Sequence, residues 1–156
     1  MSRLRNLGKL TAAGALAIGL IGGYEGLRTK AYRDIVGVPT VCFGETRGVK
    51  MGDEYTVAEC KEMLGDALVE FETKMRKCLV RPDNIPDKPY VVFLSLSYNV
   101  GVGAFCKSTL ARKINSGDIR GACNELPKWN RAGGRVVRGL VIRRADEQRI
   151  CLEGLK

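Results

Sequence analysis

Three residues near the start of the chain, Glu25, Asp34 and Thr40, are separated by eight and then by five residues. Cleaving a glycosidic bond requires one protonated carboxyl group to hand a proton to the leaving oxygen. It also requires one ionised carboxylate to activate water or to stabilise an oxocarbenium-like transition state. Glu25 lies beside Tyr24 at the end of an uncharged apolar stretch, where partial burial would favour its protonated form. Asp34 follows Tyr32 and Arg33 on the way into a β-favouring segment, a setting in which it would stay ionised. Residue types alone leave this pair open, since an exposed Glu and a turn Asp are ordinary features.

Composition narrows the chemistry. The 156 residues include no histidine, which removes Ser-His-Asp and Cys-His hydrolases and histidine-based zinc sites. Acid–base work falls to Asp, Glu, Lys, Tyr or Cys. The net charge of +9, from 26 Lys and Arg against 17 Asp and Glu, favours a polyanionic partner: nucleic acid, an anionic membrane surface or an envelope polymer. No nucleic-acid motif is present, and no nucleic-acid partner is expected. None of the six cysteines, Cys42, Cys60, Cys78, Cys106, Cys123 and Cys151, falls in a Cys-x-x-Cys pair. A redox motif or zinc knuckle is therefore not expected, nor is any metal or cofactor. Their even number suits up to three disulfides made in an oxidising compartment.

The elements that must position the carboxylates begin with an unusual terminus. Arg3, Arg5 and Lys9 precede the uncharged run Leu10 to Gly23, LTAAGALAIGLIGG. A basic flank before an apolar run of about 7–15 residues is the build of a secretory signal. This run is shorter than the ~20 residues that span a bilayer comfortably, and Gly14, Gly19, Gly22 and Gly23 dilute it. The small-x-small cleavage candidates, Ala13-Gly14-Ala15 and Ala15-Leu16-Ala17, lie inside the run rather than after it. A cut after Gly23 would leave Glu25 beside a new terminus. The reading is a segment that carries the chain across a membrane, is held weakly, and then packs on the protein. A buried helix of a soluble domain is the plain alternative.

From Tyr24 to Thr46 the chain reads as loop and short sheet, with Val36, Val38, Val41 and Phe43 punctuated by Gly37, Pro39 and Gly44. Thr56 to Cys78 reads as a helix. Thr56 and Glu59 form a capping-box signature, and Val57, Cys60, Met63, Leu64, Ala67, Leu68, Phe71 and Met75 recur at helical spacing. Pro82, Pro86 and Pro89 make residues 81–89 a connection. Tyr90 to Val100 is an apolar helix broken by Gly101-Val102-Gly103. Two shorter helices follow, Ser108 to Asn115 and Asp118 to Leu126, the second capped by Asp118. A last helix, Leu140 to Leu152, carries Arg143, Arg144 and Arg149 and reads as a solvated basic face. A small sheet followed by helices is an α+β pattern.

The spacing Glu-x8-Asp-x5-Thr resembles the catalytic triad of the T-even phage lysozymes, glycoside hydrolase family 24. The segment YEGLRTKAYRDIVGVPTVCFGET is similar to that family's active-site region throughout. Downstream, TVAECKEMLGDAL, LSLSYNVGVGAFCKSTLARKINSGDIRGACNEL and GLVIRRADEQRICLEG resemble its later helices. With the short apolar terminus, the likeness extends to the signal-anchor-release endolysins of lambdoid phages. The resemblance implies a lysozyme-like α+β fold with a small N-terminal β-sheet lobe and a larger helical lobe. Residues 1–23 would be the release segment and residues 24–156 the catalytic domain.

It also implies roles. Glu25 would be the general acid, Asp34 would orient and deprotonate the attacking water, and Thr40 would hold that water, with inversion at the anomeric carbon. The substrate would be the β-1,4 bond between N-acetylmuramic acid and N-acetylglucosamine in peptidoglycan, cut in the host periplasm during lysis. Tyr32, Asn99, Gly101, Gly103 and Arg143 would contact the glycan, and Arg143 and Arg144 would approach Glu25. Trp129 is read as core rather than as a sugar platform. The protein would be a monomer, tethered to the inner membrane until release. Cys123 is expected to pair with Cys151, since both lie on helices expected to pack together, and Cys42 with Cys60 and Cys78 with Cys106 are the pairs expected among the rest.

Two departures stand out: Glu45 occupies a place where relatives carry His, and no cysteine lies between Leu10 and Gly23. Control by membrane retention, not by thiol exchange, is the expectation. The competing readings are a membrane-disrupting protein and a lytic transglycosylase. The latter would use a single catalytic Glu and tolerate loss of Asp34.

Overall fold

The computed structural model describes residues 1–156. They form two compact units, one of Leu4–Glu70 and one of Met1–Arg3 with Phe71–Lys156. The α+β expectation holds, with one difference in detail. In place of a single small sheet there are three separate two-stranded antiparallel sheets.

The first unit opens with a hairpin of β1 (Arg5–Asn6) and β2 (Lys9–Leu10), in which Arg5 pairs with Leu10. Helix α1 (Ala12–Glu25) follows, so Tyr24 and Glu25 belong to a helix rather than to a loop. The side chain of Thr11 caps it by accepting from Gly14 N at 3.1 Å. The sides of α1 differ in size rather than in polarity. Ala13, Gly14, Ala17, Ile21 and Gly22 are buried, whereas Ala12, Ala15, Gly19 and Gly23 form one exposed stripe.

Two of the glycines are required by close packing. A β-carbon on Gly14 would collide with the carbonyl oxygen of Leu4, and one on Gly22 would lie 3.1 Å from the Phe43 ring and 3.3 Å from Leu64. Gly19 and Gly23 face open space. No helix of the chain is long and apolar enough to cross a membrane.

Strands β3 (Arg28–Arg33) and β4 (Pro39–Cys42) form the second hairpin. Helix α2 (Val57–Lys77) begins with the capping box read from sequence. Thr56 N donates to Glu59 Oε1 at 2.9 Å and Glu59 N donates to Thr56 Oγ1 at 3.1 Å. The Cys42–Cys60 disulfide ties β4 to α2.

The second unit is helical. Its centre is α3 (Asp87–Val100), where Tyr90 to Leu94 and Leu96 have no exposed surface. The helix starts three residues before the expected Tyr90, because Pro89 sits in the first turn, where a missing N–H leaves no intrahelical bond unmade. Gly101, at φ 96°, ends α3, and the chain re-enters a short helix, α4 (Val102–Cys106), where a plain break was expected. Helices α5 (Thr109–Asn115) and α6 (Ile119–Glu125) carry Ser108 and Asp118 as caps. The third sheet, β5 (Arg131–Ala132) with β6 (Arg135–Val136), turns through Gly133 and Gly134 and leads into α7 (Arg138–Glu153). Disulfides Cys78–Cys106 and Cys123–Cys151 complete the expected set, and no cysteine is free.

Buried ions organise this unit in two places. Glu72, with no exposed surface, accepts from Ser2 Oγ at 2.5 Å, Arg3 N at 2.8 Å and Tyr90 Oη at 2.6 Å. Arg3 donates to the carbonyls of Pro82 and Ile85, pairs with Asp87 at 2.6 Å and lies 4.1 Å over the Tyr90 ring. At the other place, Arg143 and Arg144 are buried, which corrects the expectation of a solvated basic face. Glu147, one turn along α7, pairs with Arg144 at 2.5 Å and with Arg143 at 3.6 Å. Ser95 of α3 donates to the same carboxylate at 2.6 Å. An arginine is buried in this way only where a carboxylate is buried with it.

Burial and the adjacent Glu72 carboxylate push the Tyr90 phenol well above the ordinary tyrosine range. An acid whose folded pKa is raised contributes stability that is intact below its unfolded pKa of about 10 and declines above it. Tyr90→Phe is therefore expected to cost about 1 kcal/mol near neutrality. It should also reduce the fall in unfolding free energy with pH by about one proton's worth between roughly pH 10 and 12. Urea titrations of both proteins across that range check this, and identical alkaline slopes would contradict it.

Candidate functional site

Glu25 is the last residue of α1, and Gly26, at φ 77°, turns the chain out of the helix into β3. The Glu25 side chain is exposed, which corrects the expectation that the apolar segment would partly bury it. The reason is the helix geometry: Glu25 projects beyond the last packed turn, Ile21 and Gly22. Its carboxylate lies over the turn after β4, where a β-carbon on Gly44 would be 4.0 Å from Glu25 Oε1. Gly44 takes a φ of 86° in a tight reversal in which Val41 and Glu45 exchange backbone bonds of 2.9 Å in both directions. Glu45 accepts from Arg47 N at 3.1 Å and so braces this turn.

Asp34 and Thr40 are held by a single residue between them. Asp34 Oδ1 accepts from Val38 N at 2.9 Å and from Val36 N at 3.0 Å. The Val38 carbonyl in turn accepts from Asp34 N at 3.0 Å and from Thr40 Oγ1 at 2.9 Å. Gly37, at φ 85°, closes the turn by donating to the Asp34 carbonyl at 2.9 Å. Val38 thus fixes the Asp34 carboxylate with its N–H and the Thr40 hydroxyl with its C=O. Thr40 is buried and Asp34 half-buried. With Oδ1 committed to two amides, Oδ2 is the oxygen left to take a proton. With its own proton given to Val38, Thr40 Oγ1 meets any water as an acceptor.

Tyr32 pairs across the hairpin with Thr40, so the two side chains share a face. The Arg28 guanidinium lies 4.3 Å over the Tyr32 ring. Sequence reasoning passed over Arg28; the available signal was its place three residues after Glu25 and four before Tyr32. Glu25, Tyr32, Asp34 and Thr40 all belong to the first unit. An apolar groove of about 780 Å³ along α1, lined by Ile18, Gly19, Leu27 and Phe43 among others, belongs to the same unit and includes none of these four.

The remaining expected glycan contacts, Asn99, Gly101, Gly103 and Arg143, belong to the second unit. Asn99 is exposed and accepts from Arg144 Nη2. Gly101 caps α3 and Gly103 lies within α4. Arg143 donates to Ser95 Oγ at 3.1 Å. Trp129 is half-buried, and its carbonyl accepts from Arg144 Nε at 2.8 Å. No cluster of His, Cys, Asp or Glu in the chain could hold a metal ion.

A family model described as Phage lysozyme matches residues 22–147, a span that includes both carboxylates and Thr40. The chain is 45% identical to a SAR-endolysin of Bacteriophage PS119 over 133 residues, covering 85% of this chain and 78% of that one. It is 44% identical to a SAR-endolysin of Enterobacteria phage P21 over 150 residues, covering 94% of this chain and 90% of that one. Among solved structures it is similar to the active form of the P1 phage endolysin Lyz, with a TM-score of 0.80 at 27% identity, covering 94% of this chain and 86% of that one. The chain therefore belongs to the phage lysozyme family and is a lysozyme-type glycosidase.

Proposed function

We propose that the chain is a muramidase that hydrolyses the β-1,4 bond between N-acetylmuramic acid and N-acetylglucosamine for host cell lysis, and that it starts work when its N-terminal segment leaves the inner membrane. The observation that carries the catalytic part is the joint hold of Val38 on Asp34 and Thr40, with Glu25 supplied by the adjoining helix end.

Glu25, the general acid, protonates the leaving glycosidic oxygen. A water donates one hydrogen to Asp34 Oδ2 and the other to Thr40 Oγ1, which turns its lone pair towards the anomeric carbon. As the bond from carbon to the leaving oxygen breaks, the bond from water oxygen to carbon forms on the opposite face, and Asp34 keeps the water's proton. Attack on that face gives inversion. Exchange with solvent returns the proton to Glu25. In this reading Tyr32 contacts the glycan from its own unit, and Asn99, Gly101, Gly103 and Arg143 are the proposed contacts of the other. No metal, cofactor or second subunit takes part.

The regulatory part rests on α1. Residues 1–23 act as the release segment of a catalytic domain formed by residues 24–156, exported to the periplasm and first tethered to the inner membrane. The run is apolar on every side, so a bilayer accepts it, but at 14 residues α1 is about 21 Å long against a hydrocarbon core of about 30 Å. The basic flank has a second use in the folded chain. Arg3 binds Asp87, two carbonyls and the Tyr90 ring, and Arg5 pairs with Asp66 at 2.5 Å. A membrane-held segment would leave Glu25 pinned at the lipid surface, and docking would bring it to the Gly44 turn.

Glu25→Gln and Asp34→Asn should each lower turnover on purified peptidoglycan about 10³-fold, with wild type releasing fragments that end in reducing muramic acid. Anhydro-muramic products from an active Asp34→Asn enzyme would replace this reading with a transglycosylase. Asp34→Asn keeps the Oδ1 acceptor and should be as stable as wild type, whereas Asp34→Ala frees two amides and should lose roughly 2 kcal/mol in denaturant titration.

Gly19→Leu and Gly23→Leu add apolar bulk where the docked helix has room. They are expected to enlarge the membrane-bound fraction and delay lysis while the purified enzyme, free of lipid, cuts at the wild-type rate. Unchanged partitioning and unchanged lysis timing would sink the release model.

A further inference from the structure

The pairing of β3 with β4 is irregular at one place. Tyr32 pairs with Thr40 and Arg28 with Cys42, so the three residues between them on β3, Thr29 to Ala31, stand against one on β4, Val41. The extra residues bend the strand between Arg28 and Tyr32, a device that re-aims a side chain. Its outcome here is that the Arg28 guanidinium lies over the Tyr32 ring at 4.3 Å, on the hairpin face that carries Thr40. Arg28 also follows Glu25 by one turn of chain. It is exposed and forms no ion pair with any carboxylate of the protein. By contrast, Arg3, Arg5, Arg47, Arg76, Arg144 and Arg149 each hold an Asp or Glu. A guanidinium fixed on an aromatic face, with its N–H edge unspent, is pre-ordered for a planar carboxylate.

We propose that Arg28 is a specificity residue that binds a carboxylate of the muramoyl unit beside the scissile bond, so that the enzyme prefers anionic muramoyl strands to neutral glycans. This rests on the glycosidase reading of Glu25 and Asp34. The recognised group is a carboxylate in either of two positions, the lactyl carboxylate of a peptide-free muramoyl residue or a carboxylate of the stem peptide on a substituted one. Arg28 touches neither the leaving oxygen nor the attacking water, so its loss acts on KM and spares kcat.

The test crosses the variant with the substrate. Two N-acetylated substrates are prepared, intact peptidoglycan and amidase-stripped glycan strands, each before and after its carboxyls are converted to methylamides. Wild type should lose about tenfold in kcat/KM, through KM, when the recognised carboxyl is blocked. Arg28→Gln should already show that lower value on the untreated substrate and should lose little more on blocking. Its activity on the blocked substrate should equal that of wild type, which also certifies its fold. If the effect occurs only with intact peptidoglycan, the receptor reads the stem peptide; if only with stripped strands, it reads the lactyl group. An equal loss for wild type and Arg28→Gln on both substrates would show that the carboxylates act through the general positive charge, and would overturn the proposal. Failure of the catalytic reading is separable, because it would leave Glu25→Gln active on every substrate.

Discussion

Glu25 is the terminal residue of a helix that has no polar side chain between Ala12 and Gly23, and this constrains the rest of the first unit. From Ala12 to Gly23 the helix docks by the shape of its apolar side chains, so the place of Glu25 depends on how closely α1 fits. Gly14 admits the Leu4 carbonyl, and Gly22 admits Phe43 and Leu64. Phe43 sits in the same reversal as Gly44, over which the Glu25 carboxylate lies. Leu64 belongs to α2, and Cys60, one turn earlier on that helix, is bonded to Cys42 beside Phe43. The surface that receives the helix and the turn that faces its carboxylate are thus one covalently closed piece.

The two carboxylates are positioned by different kinds of force. Asp34 is held by backbone groups within four residues of itself, and Thr40 by a carbonyl two residues away. That arrangement forms wherever the hairpin forms. Glu25 has its geometry only when the twelve apolar residues from Ala12 to Gly23 are packed on the domain, with Gly22 against Phe43 and Leu64. On the proposed reading, this asymmetry makes the enzyme controllable: the water-activating half is preassembled, and the acid arrives with the helix. The reuse of Arg3 and Arg5 fits the same economy. On that reading, charges that resist crossing a bilayer become the ion pairs that hold the folded terminus.

Much of this was legible in the sequence because its causes are local. The Thr56 and Glu59 box, the Asp118 cap and the long periodic run of α2 each depend on residues three or four apart, and each formed. The spacing of Asp34 and Thr40 stood out only through its resemblance to a family, and the structure joins both residues to Val38. What escaped lacks a local signature. Two-residue strands such as Arg5–Asn6 and Arg131–Ala132 are too short to show alternation. The burial of Arg143 and Arg144 needs Glu147 and, from another helix, Ser95, a coincidence that a basic pattern cannot display. The stack of Arg28 on Tyr32 depends on an irregularity in strand pairing, which residue spacing does not reveal.

On the proposed release reading, the fitness of α1 for two environments follows from a choice of side-chain size. A helix on a protein surface usually carries a polar face towards water, but a polar face would bar it from lipid. In α1 the exposed stripe consists of Ala12, Ala15, Gly19 and Gly23, the smallest apolar residues available, while Ile21 is fully buried and Leu16, Ile18 and Leu20 are half-buried. Leaving a leucine rather than a glycine in water costs on the order of 2 kcal/mol. Two such leucines on the stripe would tilt the balance between bilayer and protein by a large fraction of a typical folding free energy. Grading the faces by size keeps the segment apolar throughout, as insertion requires, and leaves little apolar area wet after docking. Hydrophobicity alone cannot separate these two states; the distribution of bulk around the helix can.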